Sequence, residues 1–162
     1  MPKNMQRMSR KEEKMNYKIR VAVPDDELKI SELFLEMLRA IYHTDEVNGY
    51  EEGELDRFFT GNEDRVYVAE DGDVVGFLSV EVHHEEEDFI YLDDFSVAEA
   101  YRNKGIGTKL LMTAEEYARN INISPVFLHV EKSNGAALRL YERSGYSIDR
   151  DDGNRYMLRK AL

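Results

Sequence analysis

Apolar and polar positions in this chain alternate with two different periods. From Tyr17 to Val23 every second residue is apolar (Tyr17, Ile19, Val21, Val23), the period of a half-buried strand. From Leu28 to Ile41 the apolar positions are 30, 33, 34, 37, 38 and 41, which is helical spacing. Pro24-Asp-Asp-Glu27 stands between them as a turn and helix start, with acids placed to meet the positive end of the helix dipole. Residues 42–53 are polar and weakly periodic, and read as a loop before a short helix over Glu54–Phe59 that Gly61-Asn62 closes. Strands are predicted over Arg65–Glu70 and Val74–Val82, joined by the hairpin signal Asp71-Gly72-Asp73. A third strand, Phe89–Val97, follows a charged turn. A helix over Gly105–Asn120 carries Leu110, Ala114, Tyr117, Ala118 and Ile121 on one stripe. Pro125–Glu131 reads as a buried strand and Asn134–Ser144 as a helix, with Gly145 as a left-handed stop. Tyr146–Asp149 and Arg155–Leu158 form a last hairpin around Asp151-Asp-Gly-Asn154.

That order mixes antiparallel hairpins with at least one β–α–β crossover. The fold class is therefore α/β or α+β, with a mixed, mostly antiparallel sheet and helices on both faces. At 162 residues, with 42% apolar and 34% charged, the chain suits one globular domain over residues 16–162. Residues 1–15 differ: five Lys or Arg against two Glu make a basic segment, expected as a disordered tail. No apolar run is long enough to span a membrane. With no cysteine in the chain there is no thiolate metal site or cysteine nucleophile, which fits a cytoplasmic protein. The net charge of −11 argues against nucleic acid as a partner and favours small cationic ligands.

The chemistry concentrates in one stretch. Tyr91-Leu-Asp-Asp-Phe-Ser-Val97 reads as a buried strand holding two carboxylates, Asp93 and Asp94. Burying them costs several kcal/mol unless a cation or hydrogen-bond donor compensates. Strict alternation predicts Tyr91, Asp93, Phe95 and Val97 on one face, with Asp94 and Ser96 on the other. Arg102-Asn-Lys-Gly-Ile-Gly-Thr108 then opens the next helix, so backbone amides and a helix dipole converge as an anion site. It is not a phosphate-binding P-loop, which needs Gly-x4-Gly-Lys-Ser/Thr. Nor is it a dinucleotide fingerprint, because position 110 is Leu. A purely structural turn stays open. His83 and His84 are adjacent on a strand and point to opposite faces, so no metal site is expected.

The full pattern Val97-x4-Arg102-x-x-Gly105-x-Gly107, followed by Leu110-Leu111, resembles the acetyl-CoA signature of the GNAT superfamily of N-acetyltransferases. Asn134-x-x-Ala137-x-x-x-Tyr141-x-x-x-Gly145-Tyr146 resembles the family's downstream helix and strand. The resemblance implies acetyl-CoA as co-substrate and no metal. It implies that Arg102, Asn103, Lys104, Gly105, Ile106, Gly107 and Thr108 cradle the pyrophosphate. Phe95, Ser96 and Val97 would pair with the pantetheine arm, the Val97 amide polarising the thioester carbonyl. The strand would splay from strand 125–131. Asn134 would touch the cofactor, and Tyr141 would stand by its sulfur as proton donor. Asn103 replaces a common family glycine, a mild departure because Asn tolerates left-handed backbone.

Three groups are candidates for the base that takes the proton of the amine. The text Tyr91–Val97 resembles the Tyr-Leu-Glu-Asp-Phe-x-Val of spermidine/spermine N-acetyltransferases, which implies Asp93 as base and amine binder and Asp94 as a second binder. His129 matches the position of a glutamate base in ribosomal-protein N-terminal acetyltransferases. Glu81 is the third. Tyr42 is a further candidate for the substrate wall. The expected reaction is direct attack by a primary amine, a small cationic one such as a polyamine or aminoglycoside. The alternatives are a protein N-terminus or lysine, or a non-catalytic CoA-binding module. A homodimer is compatible with the edge strands.

Overall fold

The computed structural model describes residues 16–162; the basic segment 1–15 lies outside the described residues. Seven strands form one sheet: β1 (Lys18–Val21), β2 (Arg65–Glu70), β3 (Val74–His84), β4 (Asp88–Val97), β5 (Val126–Glu131), β6 (Ser147–Asp151) and β7 (Arg155–Lys160). Their order across the sheet is β1-β2-β3-β4-β5-β7-β6. Every neighbouring pair is antiparallel except β4 and β5, which run parallel. The helices are α1 (Glu27–Tyr42), α2 (Ile106–Asn120) and α3 (Gly135–Arg143).

Alternation in β2 and β3 sends side chains to both faces, and each face has its own core. Ile30 and Leu33 of α1 pack with Val66, Val68 and Phe77 on one side. Leu110, Leu111 and Ala114 of α2 and Tyr141 of α3 pack with Leu78, Val80, Leu92, Leu128 and Leu158 on the other. The expected short helix over 54–59 is only a 3-10 turn, Asp56–Phe58. Its anchors Leu55 and Phe58 are buried, so one turn suffices to seat them.

Two irregularities of β4 position everything that follows. Leu92 pairs with Val80 and Phe95 with Leu78, so Asp93 and Asp94 together stand opposite the single residue Ser79. This is a β-bulge, and it breaks the strict alternation expected from the sequence. Phe95 and Val97 move to the α2 face and pack on the core there. Asp94 instead reaches the α1 side, where Tyr50 donates to it at 2.6 Å. The predicted face grouping of Asp93 with Phe95 and Val97 is thereby corrected. The second irregularity is where β4 and β5 part. Their pairing is limited to Ile90–Leu92 against Val126–Leu128. Beyond that, β4 stays with β3 and β5 stays with β7, each held on its outer flank. A gap opens between them.

Candidate active site

The gap has a cationic side built from backbone. Ala98 N–H donates to Val75 O at 2.8 Å, toward β3. Successive residues of an antiparallel pair turn their amides to opposite edges, so Val97 presents its N–H and C=O to the gap. The Val97 carbonyl accepts from Arg102 Nε at 2.9 Å. Arg102 Nη2 also lies 3.7 Å from Glu36 of α1. The loop then makes two left-handed turns, at Asn103 (φ 60) and Gly105 (φ 86). Gly105 is the N-cap of α2, and the first intrahelical bond is Lys109 N–H to Gly105 O at 3.1 Å. The amides of Ile106, Gly107 and Thr108 are therefore left without intrahelical partners. A Cβ on Gly107 would stand 3.3 Å from the Phe95 ring, so the helix start is pressed against β4. These free amides, with Lys104 beside them and no side chain at 105 or 107, suit a pyrophosphate.

Tyr141 is buried in α3, 6.2 Å between ring centroids from Phe95. Burial alone pushes its phenol above the ordinary value. It keeps its proton at neutral pH. Asn134 does not lie in the helix but caps it, accepting from Ala137 N–H at 3.2 Å.

The α1-side face of β4 and β3, next to the gap, is acidic. Glu81 registers with Tyr91, so it shares the face of β4 that carries the carboxylates. Arg57 Nη2 binds Glu81 at 3.1 Å and its Nη1 lies 3.4 Å from Asp64. Asp93 lies at the exposed edge of the strand, yet the protein around its carboxyl displaces water. That desolvation comes first, followed by the charges of Asp94 and Glu81 and a close contact with the Glu81 carboxyl, with Arg57 opposing them. Together they push Asp93 up to about 7. Asp94 is raised too, chiefly by desolvation, while the Tyr50 hydroxyl works in the opposite direction.

His129 lies on β5, one residue past the last β4–β5 pair, Leu92 with Leu128. Its Nδ1 is 2.7 Å from Tyr91 Oη and its Nε2 is 2.9 Å from Asp152 Oδ2. Asp152 lies in the β6–β7 hairpin and is held down to about 2, first by Arg150 and then by His129. Tyr42, at the end of α1, is 62% exposed and takes part in none of these contacts. His83 stacks on Phe89 and binds Glu81, whereas His84 binds Glu63 and Asp88. The two are separated as adjacent strand residues must be.

Sequence reasoning did not find Tyr50, Arg57, Tyr91 as a partner of His129, or Asp152. Tyr50 and Asp94 are 44 positions apart and Tyr91 and His129 are 38 apart. No periodicity links such pairs.

This arrangement is that of a known family. The Acetyltransferase (GNAT) family model matches residues 33–146, and the chain belongs to that family. An uncharacterized N-acetyltransferase of Bacillus subtilis, YycN, is 38% identical over 77 residues, covering 46% of this chain and 48% of its own. A probable N-acetyltransferase of Xenopus tropicalis, camello, is 39% identical over 85 residues, covering 52% of this chain and 39% of its own. The chain thus spans about half or less of the length of these two curated relatives. The PaiA N-acetyltransferase of Thermoplasma acidophilum, solved in complex with coenzyme A, shares the fold. Its TM-score is 0.73 at 20% identity, covering 91% of this chain and 100% of that one.

Proposed function

We propose that the protein is an acetyl-CoA-dependent N-acetyltransferase acting on a small cationic primary amine. One observation carries the reading: free amides at the start of α2 lie by the β4–β5 gap, and the carboxylates Asp93, Asp94 and Glu81 gather on the α1-side face of β4 and β3 next to it. The first suits a dianionic pyrophosphate and the second an ammonium. Acetyl-CoA supplies the acyl group as a thioester. The α2 amides and Lys104 hold its phosphates, and the Val97 N–H faces the carbonyl oxygen where charge develops. Such a fixed donor lowers a barrier by about 3–4 kcal/mol. An alkylammonium must lose a proton before it can attack, and Asp93, titrating near neutral pH, accepts that proton through a water. The freed amine bonds to the thioester carbonyl carbon, the C–S bond breaks, Tyr141 gives its proton to the departing thiolate, and the second proton shed by the nitrogen restores the phenol. The test is a panel of polyamines, aminoglycosides, amino acids and peptides, scored by release of free CoA thiol. Activity confined to small amines and abolished in Asp93→Asn is the expected result; a panel with no turnover counts against it.

A second reading rests on the Tyr91–His129–Asp152 chain. Asp152 holds the His129 Nε2–H, so Nδ1 is the acceptor for the Tyr91 proton, and Tyr91 can in turn take one from an amine. In that case the acceptor is a peptide N-terminus, and His129 is the base. Loss of activity in His129→Ala, with Asp93→Asn still active on peptides, would select it.

A further inference from the structure

The bulge sets Asp93 and Asp94 side by side, and among the described residues a side-chain donor meets Asp94 but not Asp93. Tyr50 lies in the irregular segment between α1 and the 3-10 turn, between Gly49 and Gly53. Its ring stacks on Phe34 of α1 with centroids 4.1 Å apart and planes 17° apart. That stack aims the hydroxyl at Asp94, 2.6 Å from Oδ2. The other groups around the pair are charged: Glu81 from β3 and Arg57 from the 3-10 turn act on both, Glu81 also standing within hydrogen-bonding reach of Asp93, while Glu54, from the same segment as Tyr50, acts on Asp94. The phenol of Tyr91, also on β4, feels both carboxylates. Tyr50 is the neutral donor beside the two aspartates, and it meets Asp94 and not Asp93.

We propose that Tyr50 is a positioning residue that divides the work of the two aspartates, fixing Asp94 to hold the ammonium and leaving Asp93 to take its proton. This rests on the small-amine reading above. A phenol donating to a carboxylate favours its ionised form and restrains its rotamer. Asp94 then offers its second oxygen to a cation. Asp93, beside an acid kept charged, stays the more basic of the two. The stack on Phe34 explains why a tyrosine serves here. The ring is anchored by packing and only the hydroxyl is spent on Asp94. The same contact ties the segment 43–55 to β4.

Tyr50→Phe keeps the stack and removes the donor. A hydrogen bond to a charged group has its value only while that group is ionised. The variant should melt about 3–8 °C below the wild type at pH 8 and close to it at pH 4. A melting difference equal at both pH values identifies a packing role and overturns the proposal. In an Asp94→Asn background, Tyr50→Phe should lose its pH-dependent effect; an undiminished effect also overturns it. With 1,4-diaminobutane as probe, calorimetric binding to Tyr50→Phe should weaken several-fold while binding of CoA is unchanged. No binding of this diamine to the wild type overturns the ammonium-holding role. In turnover, Tyr50→Phe should raise KM for the amine more than it lowers kcat, and should move the acid limb of kcat/KM to higher pH. If Asp93→Asn is inactive while Tyr50→Phe behaves as wild type, the positioning role fails and the catalytic reading stands. If Asp93→Asn is fully active, the catalytic reading itself fails.

Discussion

Lys160 of β7 places its Nζ 2.8 and 2.9 Å from the two carboxylate oxygens of Glu115 in α2. The same Nζ donates to Ser144 O at 2.8 Å, where α3 ends. Glu115 is 3% exposed. One cation thus joins the last strand, α2 and the end of α3, with the Tyr146 ring centroid 5.7 Å away. Removing it leaves a buried carboxylate uncompensated, at a cost of about 3–5 kcal/mol. Lys160→Met should lower the urea midpoint accordingly, and adding Glu115→Gln should restore part of the loss. Two independent, additive losses would show that the pair is not coupled.

The stability of the protein should fall as the pH rises from about 4 to about 7. In the folded state Asp93 is pushed up to about 7, whereas in the unfolded chain it titrates near 4. Between those values the folded state binds the extra proton, and stability declines with pH wherever that holds. Asp93→Asn removes the charge that the folded state disfavours. It should melt higher than the wild type at pH 8 and about level with it at pH 4. Thermal melts across that range check this, and a parallel offset at every pH contradicts it.

Tyr141→Phe keeps the buried ring and removes the proton. If the hydroxyl serves the departing thiolate, kcat should fall by about 10²–10⁴-fold with little change in KM for acetyl-CoA. Free-thiol release at saturating substrate measures it. Turnover at the wild-type rate removes Tyr141 from the proposed chemistry.

Gly105→Ala tests the cradle. A Cβ there meets nothing within 4 Å among the described residues, so the penalty they impose is the left-handed backbone at φ +86. That costs about 1–2 kcal/mol, or else the loop relaxes and the amides of α2 lose their aim. The expected result is weaker CoA binding by calorimetry, with secondary structure unchanged by circular dichroism. Wild-type affinity together with wild-type stability would contradict it.

Much of the fold was legible in the chain because its signals are local. The helical stripe at 30–41, the Asp71-Gly72-Asp73 turn and the Gly145 stop each act over a few residues, and each element appears where its pattern falls. The short helix over 54–59 was misread because burial of Leu55 and Phe58 imitates one helical turn. The anion cradle was legible for the same reason as the turns. Left-handed backbone at 103 and 105, and a helix opening at 106, are properties of neighbouring residues.

The acid side was not legible in that way. The sequence alone established that two carboxylates sit in an apolar strand that must be compensated. It could not show that both would share one face, because strict alternation separates adjacent side chains. Only the tertiary structure decided it. Leu92 must meet Val80, and Phe95 must meet Leu78 and the core under α2. A strand can satisfy both contacts with three steps where its partner takes two only by bulging between them. The bulge falls on Asp93 and Asp94. Tyr50, stacked on α1, then distinguishes one from the other.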